Sequence, residues 1–246
     1  MSRWKAASIH LLISALIALL AGAVLLGLWY PPPYFEAGGA TRLLLLVAGV
    51  DVILGPLLTL IVFRSGKPSL RFDLTTIALV QTVALAYGLH AMVVSRPVFL
   101  VAAVDRFVLV AANDLSEEEL KQAPVRFRPL SWTGPRLVAA RLPTNAVERD
   151  ALLMESISGK DLEQTPKYYV DYVNEANHLL SRAKPLTALA SKGADAASQV
   201  AGWVSRHGVK AEDVVWLPIM ARDASLVMLL QKRDGRPLGA LPIDPW

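Results

Sequence analysis

The stretch IHLLISALIALLAGAVLLGLWY, residues 9–30, contains no charged side chain and decides the fold of this chain. About 20 helical residues cross the roughly 30 Å hydrocarbon core of a bilayer, so this stretch predicts a first membrane helix. Two further apolar runs follow, at 43–63, interrupted only by Asp51, and at 74–94. With 54% hydrophobic and 19% charged residues, the whole chain is more apolar than most water-soluble domains. We therefore expect an integral membrane protein with three N-terminal transmembrane helices, formed within residues 1–96.

The basic residues near these spans predict their orientation, because Lys and Arg are enriched in short cytoplasmic loops. Five basic residues precede the first span or lie between the second and third spans: Arg3, Lys5, Arg64, Lys67 and Arg71. Only two lie on the other side, Arg42 between the first and second spans and Arg96 after the third. This asymmetry places the N terminus in the cytoplasm and exports everything after Arg96. In a bacterium the protein would lie in the inner membrane, with its C-terminal domain in the periplasm.

A cleaved signal peptide is the alternative interpretation of the first span, because Ala21-Gly22-Ala23 offers a small-residue cleavage motif. The apolar run continues past Ala23 to Leu28 without a polar segment, which favours a membrane helix.

Residues 97–246 change to an alternating, punctuated pattern that predicts one α+β domain of ordinary size. Ser116 and Glu119 have the spacing of a capping box, in which the serine side chain accepts a hydrogen bond from the third helical amide. The predicted strands are 98–104, 107–112, 137–142, 214–221, 225–231 and 237–242, and the predicted helices are 117–122, 145–157, 167–183 and 194–207.

Asp51 is the first candidate functional residue, because an acid near the centre of a membrane span costs roughly 2.5–3.5 kcal/mol on insertion scales. Gln81 and His90 on the third span lie within one or two turns of its depth, and either could hydrogen-bond it. Pro56 should kink the second helix, because proline removes a helical donor. Asp51 could contact a partner's membrane helix or act as a proton site; alternatively, as a neutral acid, it could hold this protein's own helices together.

Tyr168 and Tyr172 are the second candidate, in the predicted exported domain. If residues 167–183 form a helix, the two rings share one face and could anchor a protein interface, where Tyr is enriched. The same spacing is also typical of ordinary core residues.

Several functional classes have no support in the sequence. The absence of cysteine excludes disulfides and thiolate metal sites, and the four histidines form no metal-binding pair. No nucleotide-binding or hydrolase signature is present, so we predict no enzyme, no cofactor and no metal. An envelope enzyme would need groups such as Glu148 or Asp150 to meet His178 in space. The formal charge of +4 comes from the N-terminal part, which indicates membrane orientation and no nucleic-acid partner.

Several strings together resemble the type IV pilin accessory proteins of the TfpX/TfpZ group. These strings are RWK at 3–5, IHLLIS at 9–14, WYP at 29–31, GVDVILGPLLTLIVF at 49–63, RFDL at 71–74, RPVF at 96–99 and VDRF at 104–107. The similarity is most specific over residues 1–115. The resemblance implies a non-enzymatic bacterial inner-membrane protein that works with a particular major pilin in pilus assembly or dynamics.

The partners that follow are the major type IV pilin, other inner-membrane components of pilus assembly, and membrane lipid. A candidate from another class is a membrane-anchored periplasmic sensor or small-molecule binding module. Its weakness is the small cytoplasmic part, which leaves little chain for signal output.

Overall fold

The computed structural model describes residues 2–157 and 159–246, which group by their contacts into two units. The first, called here the helical unit, comprises residues 2–35 and Gly39–Arg96. The second, called the sheet domain, comprises Glu36–Gly38 and the residues from Pro97 to Trp246.

Three helices in the described part of the chain are long and apolar enough to span a membrane: Arg3–Trp29, Ala40–Val62 and Leu70–Ser95. This confirms the predicted three N-terminal helices, each of which begins several residues earlier than expected. The helical elements are α1 (Arg3–Val24), α2 (Tyr34–Ala37), α3 (Ala40–Ala48), α4 (Gly55–Val62) and α5 (Leu70–Ser95), with π-helical turns at Leu25–Trp29 and Gly49–Leu54. Ala40–Val62, which includes α3 and α4, is called the middle helix below.

The middle helix changes from α to π geometry directly before Pro56, the second residue of α4. Proline has no amide hydrogen and its ring crowds the preceding turn, so a wider turn there relieves the clash. The sequence predicted a kink at Pro56, and the structure has a π-helical segment, Gly49–Leu54, before the α-helix that contains this proline. Asp51 lies within that turn.

Few side chains of the three long helices are buried within the chain, as expected where lipid takes the place of water. A small buried cluster includes Leu25, Tyr30, Val47 and Met92. The Tyr30 hydroxyl lies 3.1 Å from Ser95 Oγ, which itself donates to the Ala91 carbonyl. This bond fixes the end of the first helix to the end of the third.

The sheet domain is a mixed α/β structure, which confirms the predicted combination of helices and strands. Its strands are β1 (Pro97–Ala103), β2 (Arg106–Ala111), β3 (Arg136–Ala140), β4 (Tyr169–Val170), β5 (Lys184–Pro185), β6 (Val214–Met220), β7 (Leu226–Gln231) and β8 (Pro237–Leu241). Its helices are α6 (Glu117–Gln122), α7 (Ala146–Ile157), α8 (Ala176–Leu180), α9 (Leu186–Ala190) and α10 (Ala194–His207).

Within the described residues, eight strands form one sheet in the order β4-β3-β1-β2-β6-β7-β8, with β5 beside β6. Two antiparallel hairpins, β1–β2 and β6–β7, form its centre. They meet through a short parallel pairing of β2 with β6, in which Phe107 lies opposite Ile219 and Val108 opposite Met220. Strand β1 is buried along its whole length, which explains its unbroken apolar sequence.

Two hydrophobic clusters stabilise the sheet domain. One surrounds β1 and β3, where the Phe99 and Phe127 rings meet the edge of Tyr169 with centroids 5.2 and 6.2 Å apart. The other surrounds β6–β8 and contains Trp203 and Trp216 together with α9 and α10. The sequence had predicted all of these strands except β4 and β5.

Local signals located several elements closely. The Ser116 side chain accepts from the Glu119 amide and the Glu119 carboxylate accepts from the Ser116 amide, so the predicted capping box is confirmed. Helix α10 ends at His207, and Gly208 follows with φ 62°, as the glycine stop signal predicted. The first hairpin turn lies at Val104 and Asp105, one residue earlier than expected, with Val104 at φ 55°.

The predicted helix over 167–183 is wrong. The segment instead contains a 3-10 turn at Pro166–Tyr168, strand β4, a second 3-10 turn at Tyr172–Asn174 and the short helix α8. Tyr169 pairs with Ala140 of β3 and is 1% exposed, so burial and sheet pairing override the local helical spacing. Tyr168 and Tyr172 consequently do not share a helix face.

Candidate functional site

A polar cavity of about 180 Å³ lies within the helical unit, around Asp51. Helix α1 contributes one wall, the middle helix contributes Asp51, and α5 contributes the other wall. The lining residues are His10, Ile13, Ser14, Ile17, Asp51, Ala78, Gln81, Thr82 and Leu85. Polar groups of all three candidate spans therefore meet in one place.

Asp51 is 5% exposed, and the hydrogen bonds that it receives from its own chain are long. Gln81 Nε2 donates to Asp51 Oδ1 at 3.5 Å and to the Asp51 carbonyl at 3.4 Å, both near the outer limit for a hydrogen bond. A carboxylate has about four acceptor sites, so this arrangement leaves much of its capacity unused. Gln81 was predicted as a partner of Asp51, and the structure brings the two together.

His10 and Thr59 add a second polar pair beside Asp51. His10 Nδ1 lies 2.6 Å from Thr59 Oγ1, and Thr59 and Ser14 are both buried. Sequence reasoning did not select these three residues. The spacing of His10 and Ser14, four positions apart in an otherwise apolar helix, was the available signal, because it places both on one helix face.

Gly55 makes the contact between the middle helix and Gln81 possible. A Cβ atom added at Gly55 would overlap Gln81 Nε2. The side-chain amide of Gln81 can therefore lie against the backbone of the middle helix only because residue 55 has no side chain.

The other predicted membrane residues are placed differently. Pro56 is buried one turn beyond Asp51, where it accompanies the π turn. His90 is exposed on α5 and does not line the cavity; the histidine that lines it is His10 on α1. The depth of His90 in the membrane could be predicted by counting residues along its helix. The side of the helix on which its side chain lies could not.

The two tyrosines of the sheet domain also differ from each other. Tyr172 is 7% exposed, its hydroxyl donates to the Gly235 carbonyl at 2.6 Å, and its ring packs near Phe107. It is a core residue, and burial raises the pKa of its phenol. Tyr168 is half-buried, so a partner contact there remains a prediction. Val173, beside Tyr172, is 77% exposed.

A cleft of about 430 Å³ is present in the sheet domain, beside β5 and β6. Its walls are mainly apolar and include Leu186 and Val214, while Glu212 and Lys232 supply charge. Among residues 2–157 and 159–246, no three His, Cys, Asp or Glu side chains group as a metal site would require.

Glu163 is the carboxyl group of the sheet domain whose titration we expect to matter most for stability. Burial raises its pKa above the ordinary glutamate value, the Asp161 and Asp105 carboxylates add to the shift, and Arg106 opposes it. Because the folded state holds this proton more tightly than the unfolded state, the resulting stability is complete below the unfolded pKa. It is lost as the pH rises through the folded pKa.

We therefore expect Glu163→Gln to stabilise the sheet domain at about pH 8 and to have little effect at about pH 4. The measurement is the urea midpoint of the full chain in detergent, followed by protease resistance across that pH range. Glu212→Gln is the matched control for the loss of a carboxylate, because the Glu212 side chain is 77% exposed. Equal profiles for wild type and Glu163→Gln would contradict the assignment.

The fold and the cavity together define a class: a protein with three candidate membrane spans, a polar cavity among them, and a C-terminal α/β domain. Comparison with known proteins assigns the family. The profile described as Fimbrial assembly protein FimB matches residues 1–39. The fimbrial assembly proteins of Dichelobacter nodosus serogroups E1 and I are each 30% identical over 245 residues, covering 98% of this chain and 95% of each relative.

A third relative, the fimbrial assembly protein of serogroups C1 and C2, is 34% identical over 121 residues, covering 48% of this chain and 92% of its own. No solved structure is significantly similar to this chain. The chain belongs to the fimbrial assembly protein family represented by the two full-length matches. This supports the coarser part of the predicted resemblance, a protein related to pilus assembly.

Proposed function

We propose that this protein is a non-enzymatic inner-membrane accessory factor for type IV pilus biogenesis or dynamics. It binds its cognate major pilin through the membrane helices and the C-terminal domain. The observation that carries the proposal is the match to two fimbrial assembly proteins over 98% of the chain, which includes both units. The strings shared with the TfpX/TfpZ group favour type IV pili and a pilin-specific role.

The loop charges support an orientation with the N terminus in the cytoplasm and the sheet domain in the periplasm. Arg64, Lys67 and Arg71 lie between the middle helix and the body of α5, where a cytoplasmic loop would attract basic residues. In this orientation the sheet domain is on the side where pilin head domains are assembled, so both parts of a pilin subunit are within reach.

A non-catalytic role agrees with the geometry of the described residues. The polar cavity contains the weakly hydrogen-bonded Asp51 carboxyl group together with an amide, an imidazole and hydroxyl groups. The other residues that line it are apolar. Such a site is suited to recognising a polar group inside a membrane. The names of the relatives, fimbrial assembly proteins, likewise describe assembly.

The test combines a deletion strain with photo-crosslinking in the cell. We expect deletion to reduce surface pili and twitching motility, and expression of the intact chain to restore them. A photoreactive residue at Val173 or Ala78 should yield an adduct with the major pilin. Lys192, exposed after α9, and Ala86, exposed on α5, are the matched control positions and should yield less.

Normal pili in the deletion strain without any pilin adduct would contradict the proposal. That result would favour the second candidate, a membrane-anchored periplasmic sensor or small-molecule binding module. The 430 Å³ cleft of the sheet domain is the observation that supports this alternative, since its volume suits a small ligand.

A further inference from the structure

Two adjoining cavities lie along the helical unit between α1 and α5. Both helices pack against the middle helix, whereas their direct packing against each other is slight. Beyond the polar cavity lies an apolar cavity of about 250 Å³. Its lining residues are Ile17, Leu20, Ala21, Val24, Trp29, Leu85 and Leu89.

Ile17 and Leu85 line both cavities, so the two form one groove with a polar end and an apolar end. On α5 its walls extend from Ala78 to Leu89, about 17 Å at roughly 1.5 Å per residue. This is three helical turns, or about half of a bilayer core. An elongated apolar groove of this length suits a helix better than a compact ligand.

Among the residues that the structure describes, the hydrogen bonds donated to Asp51 at the polar end are long. The Asp51 side chain is buried, with 5% of its surface exposed. Its only side-chain hydrogen bond among the described residues comes from Gln81 Nε2, which lies 3.5 Å from Asp51 Oδ1. The His10 Nδ1 atom is already hydrogen-bonded to Thr59 Oγ1 of the middle helix. A carboxylate in this setting is stabilised most by a cationic donor brought in by a guest, since an unpaired charge in lipid is costly.

We infer that the groove between α1 and α5 binds a transmembrane helix of another protein, which carries an amine at the depth of Asp51. This inference rests on the proposed function and specifies the chemistry of the membrane partner. The amine pairs with the Asp51 carboxylate, and the apolar face of the guest helix packs against the surfaces around Ile17, Leu85 and Leu89. The charge pair at one end of the groove and the apolar contacts along the rest fix how far the bound helix slides along the groove.

The experiment uses the full chain in phosphatidylcholine nanodiscs. The probe is a fluorescent Leu/Ala transmembrane peptide with one Lys at the depth of Asp51, and its counterpart carries Leu there. Energy transfer to the labelled chain measures binding. We expect the Lys peptide to bind about tenfold more tightly than the Leu peptide, as a close charge pair would give.

Asp51→Leu should abolish the preference for the Lys peptide, and Ala78→Phe, which fills the polar cavity, should weaken binding of both peptides several-fold. Ala86→Phe is the matched control, because Ala86 is exposed on the same helix and lines neither cavity. Equal binding of the two peptides, or a preference that survives Asp51→Leu, would overturn the inference. Self-association of the chain that Asp51→Leu abolishes would assign the groove to a second copy and would also overturn it.

The failures of the two proposals are distinguishable. If the peptides do not discriminate while the deletion strain loses pili, only the groove assignment is wrong. If the Lys peptide binds as expected while the deletion strain is normally piliated and yields no pilin adduct, the pilus role is wrong and the groove assignment remains.

Discussion

Trp216→Ala should lower the free energy of unfolding of the sheet domain by about 3–5 kcal/mol, the usual cost of removing a large buried aromatic side chain. Trp216 is 1% exposed and belongs to the cluster around β6–β8. Its indole nitrogen donates to the Pro185 carbonyl at 3.1 Å, so the side chain also fixes β5 against β6. The substitution leaves a cavity and removes the hydrogen bond to the Pro185 carbonyl.

Urea unfolding of the full chain in detergent, followed by protease resistance, measures this effect. Domains are typically stable by only about 5–15 kcal/mol, so the variant should lose a large share of the stability of the sheet domain. Met154→Ala is the control, because Met154 is 70% exposed and its truncation should change stability by less than about 0.5 kcal/mol. Equal midpoints for the two variants would contradict the described core.

Gly88→Ala is the second substitution with a large expected effect, on the helical unit. A Cβ atom at Gly88 would overlap Cγ2 of Val47, and the branched valine side chain has little freedom to move aside. We expect α5 to be pushed away from α3, with a loss of about 1–3 kcal/mol, as is typical of overpacking. Thermal unfolding of the purified chain in micelles measures this loss.

A second-site change makes the Gly88 test specific. Val47→Ala removes the overlapping methyl group, so the double variant should be more stable than Gly88→Ala alone. Gly27→Ala is the matched control, because a Cβ atom there meets nothing within 4 Å. Destabilisation that is the same with and without Val47→Ala would show that the close approach of α5 to α3 is not its cause.

The elements that the sequence predicted well are those with local physical causes. Apolar runs of membrane length located all three long helices, and the capping-box spacing of Ser116 and Glu119 located the start of α6. Gly208 marked the end of α10 because the stop requires a positive φ. In each case the determining residues are close together in the chain.

The failures share a different cause, since they depend on neighbours far away in the chain. Tyr169 belongs to a strand only because Ala140 lies beside it, and no local pattern reports that pairing. For the polar cavity, Asp51 and Gln81 were predicted by depth, but depth does not state which way a helix faces. His90 was therefore chosen in place of His10, whose ring reaches Thr59 from another helix.

The pairing of β2 with β6 also has a consequence for biosynthesis. Strand β2 ends at Ala111 and β6 begins at Val214, so about a hundred residues must be synthesised before β2 obtains its second neighbour. At ribosomal rates of about 5–20 residues per second, that interval lasts roughly 5–20 s. During this time an apolar strand edge remains open to other chains. The nascent protein therefore passes through an aggregation-prone stage that ends only when its C-terminal hairpin has emerged.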